Sequence, residues 1–256
     1  MTTRPGYIPE SIVGAPIDFP WHGALGHLGP AEAVTPLMKM LDKKTLTAYL
    51  TLGAGILQWA GWRLLNHTDV SFLLELSDAL FAYQVDPRYF KRSAHPKGAP
   101  PDQPPALSGA LQLGWLMVKA ANPERYWHNY YAPISEVFHG THLVRHILPE
   151  PAQKPFGDWL KNISKRLDVI APKPDEPFRK KSTFATVEEY RAFLVPHRGV
   201  ALPPQVLAPS FEYRPEEREA LLNAHLEKLD WRSNRYLQSP DEMRGQGFEG
   251  TPYRHP

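Results

Sequence analysis

The residues best suited to chemistry are Glu136, His139, His142 and His146, in the spacing E-x-x-H-x-x-H-x-x-x-H. Steps of three and four bring side chains near one face of a continuous helix. Imidazole nitrogens with a carboxylate are ligands for zinc or iron. The four residues therefore offer one enzymatic reading, a metal-dependent enzyme with zinc or iron as its cofactor. The competing reading is packing. Phe138, Leu143, Val144 and Ile147 flank the histidines, and Gly140 weakens a helix by about 1 kcal/mol relative to alanine.

Glu-x-x-His is also the step used by di-iron helical bundles, but those need a second copy and two further glutamates from other helices. The sequence holds no second copy; Glu75-Leu76-Ser77-Asp78 supplies acids at that spacing without a histidine. His22 and His27, among the glycines of Trp21 to His27, could add imidazoles or simply sit on a turn. Trp127, Tyr130 and Tyr131 gather aromatics beside Arg125 and His128, a composition that can stack a base or a peptide but more often forms a core and its rim. Arg179-Lys180-Lys181 is a short basic run among acids and reads as a solvated loop. No G-x-x-x-x-G-K-[ST] loop occurs, no G-x-G-x-x-G follows an expected strand, and the G-x-S-x-G nucleophile elbow is absent. With no cysteine, thiolate ligands and cysteine nucleophiles are excluded. A net charge of +2, from 29 basic and 27 acidic residues, gives no reason to expect nucleic acid as a partner.

What remains points to binding. Aromatic and arginine residues of the kind that anchor interfaces cluster late in the chain: Phe211, Tyr213, Trp231, Arg232, Arg235 and Tyr236, followed by Phe248 and Tyr253. They lie in a proline-punctuated region, and a proline-fixed φ lowers the entropy lost on docking. The favoured expectation is a non-catalytic protein-binding component, whether adaptor, assembly subunit or immunity-type inhibitor. It needs no cofactor, and its partner is another protein or a second copy of the chain. The same aromatics could equally strap the tail onto its own body.

The elements that must position these residues read as mainly α. Ala31 to Leu41 suggests a first helix, with Pro36 as a kink or restart. Thr45 to Trp62 is 18 residues without a charge. A membrane span needs about 20 predominantly apolar residues, and this run carries Thr45, Thr47, Tyr49, Thr51, Gln58 and three glycines. A buried central helix is the expectation and membrane insertion the lesser one. Asp69 is a candidate N-cap for a helix to about Gln84. Helices are also expected over 105–121, over 124–148 with a break near Pro133, and over Asp158 to Val169. Thr186-Val187-Glu188-Glu189 and Ser239-Pro240-Asp241-Glu242 both fit a capping box, and Pro215 can open a helix between them. Val195 to Leu207 is the best strand candidate, although it carries three prolines.

Twenty-eight prolines in 256 residues is roughly twice the usual ~5%. Seven of them fall within 172–209. The organisation expected is an irregular N-terminal arm over 1–30, a compact multi-helix body over 31–170, and an extended Pro-rich C-terminal region over 171–256 carrying short helices, packed on the body or on a partner. The body alone is long enough to bury a core of its own. Residues 1–20 lack the continuous apolar run of a secretory signal, so a cytoplasmic location is expected.

Overall fold

The computed structural model describes residues 3–19, 35–94, 106, 109–110, 132–177, 179 and 181–255. The helix expected over 105–121 falls almost entirely outside these residues, and the aromatic run 124–131 and the Trp21–His27 segment fall wholly outside them. The fold is mainly helical, and no strand occurs among the described residues. The helices are α1 Pro36–Leu41, α2 Leu46–Leu64, α3 Ser71–Val85, α4 Ala132–Ile147, α5 Glu150–Ile170, α6 Val187–Arg198, α7 Arg218–Leu226 and α8 Pro240–Gly245. Short 3-10 turns at Pro87–Tyr89, Pro204–Leu207 and Pro215–Glu217 connect them.

The charge-free run forms α2, the centre of the body. All of its residues except Gln58 and Trp62 are buried, and it packs chiefly against α3 and α4. No described helix is long and apolar enough to cross a membrane. The polar residues that dilute its hydrophobicity are used internally. Thr51 Oγ1 donates to the Thr47 carbonyl at 2.9 Å, and Gln84 Nε2 on α3 donates to Thr51 Oγ1 at 3.2 Å. Ser77 Oγ on α3 donates to the Ala54 carbonyl at 3.0 Å. Gly55 lets α5 approach, since a Cβ there would stand 2.8 Å from two ring carbons of Trp159.

Two buried cations tie the helices together. Lys44 Nζ, on a fully buried residue, donates to the Met40 carbonyl at 2.9 Å and the Asp42 carbonyl at 3.2 Å, and pairs with Asp168 of α5 at 2.7 Å. It thereby satisfies carbonyls at the end of α1 that lack helical partners. Arg63, also fully buried, donates from Nε to the Ile147 carbonyl at 2.7 Å. Its Nη1 and Nη2 reach the carbonyls of Ala15 and Pro16, each at 2.6 Å. The N-terminal arm is thus pinned to the end of α4 through one guanidinium, with the Phe19 ring centroid 5.7 Å from its Cζ.

Several boundaries differ from those expected. α1 begins at Pro36 under a Thr35 cap, so this proline starts a helix. α3 begins at Ser71, whose N–H is accepted by Asp69 Oδ1 at 2.9 Å. α5 begins at Glu150 rather than Asp158, with Pro151 in its first turn and Pro155 inside it. The strand candidate Val195 to Leu207 is not a strand. Its first residues finish α6 through Pro196, Gly199 turns the chain at φ 75°, and Pro204–Leu207 forms a 3-10 turn. Prolines at 203 and 204 remove the donors that a ladder would need.

The C-terminal region lies on the body. Leu202, Val206, Leu207, Leu226, Tyr236, Leu237, Met243, Phe248 and Tyr253 belong to the same buried cluster as α2 to α5. Specific hydrogen bonds fix the docking. Trp159 Nε1 of α5 donates to the Leu207 carbonyl at 2.9 Å, and the Leu202 N–H donates to Gln84 Oε1 at 3.1 Å. An antiparallel bridge joins Phe90 to Leu237. Lys91 N donates to the Tyr236 carbonyl at 2.7 Å and Gln238 N to the Tyr89 carbonyl at 2.9 Å.

Candidate functional site

The Glu/His ladder occupies α4 as the spacing predicts, but its groups do not converge. Among the described residues no group of three or more His, Asp or Glu side chains is placed to hold a metal ion. The His142 ring packs on Phe138 at 4.5 Å between centroids, and His146 meets Phe19 edge-on at 5.8 Å. Burial lowers the His142 pKa, with the Arg145 and His139 charges acting in the same direction. Glu136 is the group out of place. Its Oε2 is buried without a hydrogen-bond partner, and burial pushes its pKa up to about 7. The metal reading of Glu136, His139, His142 and His146 therefore gains no support in geometry. The three histidines stand beside the rings of Phe138 and Phe19, and Glu136 keeps an unpartnered carboxylate oxygen, rather than all four surrounding a common point.

A second carboxylate with a raised pKa, half-buried, lies on α3. Burial, with Glu75 adding repulsion, raises the Asp78 pKa to about 6. Opposite it on α7, burial lowers the His225 pKa to about 4, against the opposing effect of a hydrogen bond to the Asp78 backbone. The His225 ring meets Phe81 edge-on at 5.5 Å. These groups sit in the seam between the body and the C-terminal region.

The anchor candidates divide by exposure. Tyr236 is 1% exposed and stacks on Phe90 with ring centroids 6.2 Å apart. Burial raises its pKa to about 12. It is a strap residue and is closed to a partner, because its aromatic surface is spent on the body. Phe211, Tyr213 and Trp231 are half-buried and pack against the core. Arg232 and Arg235 are exposed. Arg235 spans to α3: its Nε donates to Glu75 Oε2 at 2.7 Å and its Cζ lies 3.6 Å from the Phe72 centroid. Arg232 lies over Trp231 at 4.4 Å.

A tight turn presents this last pair. Asp230 Oδ1 accepts from the Arg232 N–H at 3.0 Å, and the Asp230 carbonyl accepts from the Asn234 N–H at 2.9 Å. Asn234 Nδ2 then donates to the Glu75 carbonyl at 2.9 Å, locking the turn onto α3. Asp230, though exposed, has its pKa lowered by the hydrogen bonds it accepts from Ser233 and Arg232.

No family model, curated protein or solved structure matches the chain.

Sequence reasoning missed one further feature. A cleft of about 660 Å³ lies between the segment 87–93 and α8. Its walls include Arg88, Lys91, Arg92, Ser93, Gln238, Glu242 and Gln246. In the sequence, Lys91 and Arg92 read as the start of an exposed linker. The partners that make them a wall are about 150 residues away in the chain, as the Lys91–Glu242 pair with its separation of 151 illustrates.

Proposed function

We propose that the protein is a non-catalytic binding component that docks a protein partner through the turn carrying Trp231 and Arg232. The observation that carries the reading is the state of that turn. Its backbone is closed by Asp230, its base is bonded to α3 through Asn234, and it presents a half-buried indole with an exposed guanidinium over it. Tryptophan and arginine are the residue types most enriched among interface anchors. A turn already rigid in the free protein loses little entropy on docking. Arg235 extends the basic surface beside it, while Glu75 holds its orientation. A surface of one indole under one exposed guanidinium fits a partner presenting an apolar recess with a carboxylate at its rim.

The test is residue-specific. A photo-crosslinking amino acid at position 232 should capture a discrete protein. Arg232→Glu should abolish the stoichiometric complex with that protein while leaving the melting temperature unchanged. Full affinity in both Arg232→Glu and Trp231→Ala would overturn the proposal.

A further inference from the structure

The cleft between 87–93 and α8 differs from an ordinary surface groove in how its charges are spent. Asp86 and Glu242, the carboxylates bonded to its lining cations, are already committed. Asp86 accepts the Arg88 backbone N–H at 2.8 Å and pairs with the Arg88 guanidinium at 2.7 Å. Glu242 accepts Lys91 Nζ at 2.7 Å through Oε1 and the Ser239 N–H at 2.8 Å through Oε2. Both bonds on Glu242 lower its pKa. Arg88 is equally committed, with Nη1 on the Gly247 carbonyl at 2.9 Å and its Cζ 4.9 Å from the Phe248 centroid.

The capacity left over is mostly donor. Arg92 is exposed and makes no ion pair or hydrogen bond with any described residue. The Ser93 hydroxyl beside it is likewise unused. An ammonium has three N–H donors, and Lys91 spends one of them on Glu242. The floor beneath them is rigid. Gln238, which is buried, donates from Nε2 to the Phe90 carbonyl at 3.0 Å, accepts from Gln246 Nε2 at 2.9 Å through Oε1, and accepts from the Tyr253 hydroxyl at 2.5 Å through its backbone carbonyl. The donors are therefore mounted on a fixed frame.

We infer that this cleft binds a phosphate monoester carried on a small polar body, of the sugar-phosphate class, with the phosphate on Arg92, Lys91 and Ser93. Arginine, lysine and hydroxyl donors suit phosphate oxygens, and a charged acceptor makes each bond shorter and stronger. The size and the lining define the rest of the ligand. About 660 Å³ is far more than one phosphate fills and lies in the range of small-molecule sites. Among the described residues the lining holds no aromatic side chain on which a nucleobase could stack. Gln246 offers polar contacts for hydroxyl groups instead.

The experiment is calorimetric titration of the full chain at low salt with glucose 6-phosphate, glucose, inorganic phosphate and AMP. Glucose 6-phosphate should bind more tightly than each of the other three. Arg92→Gln should weaken it about tenfold or more, as loss of a charge-assisted contact requires. Glu242→Gln frees Lys91 from its ion pair and should tighten binding about threefold, an effect that misfolding cannot imitate. Absence of glucose 6-phosphate binding, or binding insensitive to Arg92→Gln, would overturn the inference. Equal or tighter binding of AMP or of inorganic phosphate would overturn the assignment of the ligand body.

Discussion

Replacing Arg63 by methionine tests how the N-terminal arm is held. Methionine fills much of the volume and keeps the apolar stem, so the perturbation is the loss of three hydrogen bonds and one buried charge. Bonds to a charged donor contribute about 1.5–3 kcal/mol each. Against that gross loss stands the several kcal/mol no longer required to keep a cation out of water. The carbonyls left behind decide the balance. The Ala15 carbonyl keeps a partner, because His67 Nε2 lies 2.8 Å from it. Those of Ile147 and Pro16 lose the donor that Arg63 supplied, at about 1–3 kcal/mol each where water cannot replace it. A net destabilisation of about 3–5 kcal/mol is expected, the range found when one member of a buried charged network is removed. Urea unfolding at pH 7 reads this as a lower midpoint. Limited proteolysis should show cleavage within 3–19 before the body is cut, because the arm is released first. Arg63→Lys should recover only part of the loss, since one ammonium cannot reach three carbonyls held by three separate guanidinium nitrogens. A loss below about 1 kcal/mol for Arg63→Met would refute the reasoning, because it would mean the carbonyls are satisfied without the cation.

Three further outcomes follow from the same structure. Gly55→Ala should destabilise by about 1–3 kcal/mol in urea unfolding, because the new Cβ meets Trp159 at 2.8 Å and Leu207 at 3.2 Å inside a packed seam. Glu136→Gln should stabilise the protein above pH 7 and change little below pH 4. The wild-type carboxyl titrates near 4.5 when unfolded and near 7 when folded, so the folded state holds the extra proton in between and stability falls as pH rises through that window. The gain at pH 8 should be roughly 1–3 kcal/mol after allowance for partial solvent access, and equal stability of the two proteins at pH 8 would remove burial as the cause. A chain ending at residue 170 should lack a cooperative thermal transition and bind a hydrophobic dye, because it uncovers α2, α3 and α5 where Leu202, Val206, Leu207 and Tyr236 pack. A sharp transition in that fragment would establish an autonomous body.

The helical core was readable because its signals are local. Eighteen residues without a charge between Lys44 and Arg63 mark a buried helix, and the polar Thr45, Thr47, Thr51 and Gln58 among them leave it short of the apolarity a membrane span needs. The Ser239 capping box was readable for the same reason, and both of its reciprocal bonds form. At Thr186 the hydroxyl accepts the Glu189 N–H at 3.1 Å, but the Glu189 carboxylate turns to the Ala185 N–H instead of the cap residue. Proline misled where its meaning depends on position. Pro151 sits where a helix needs no N–H donor, so α5 starts eight residues before the amphipathic pattern announces it. The cations were invisible as structure. Lys44 and Arg63 look like the charged flanks of an apolar helix, and only the folded chain brings Asp168 and the carbonyls of 15, 16 and 147 around them.

The C-terminal aromatics show why composition alone leaves a binding surface undecided. Tyrosine, tryptophan and arginine are favoured at interfaces because they bury a large area and still offer a polar tip. Docking a tail onto its own body poses the same physical problem, and the chain solves it with the same residues. Tyr89 stacks on Tyr253 at 4.9 Å and donates from its hydroxyl to the Arg254 carbonyl at 2.8 Å, while Tyr236 stacks on Phe90. What separates strap from surface is whether the charged partner is consumed. Arg235 is consumed by Glu75 and Arg88 by Asp86. Among the described residues the Arg232 side chain lies over its neighbouring indole without an ion pair, and Arg92 makes neither an ion pair nor a hydrogen bond. Both proposals rest on cations left unspent on an otherwise cross-linked surface, the first beside an apolar ring and the second beside a polar cleft.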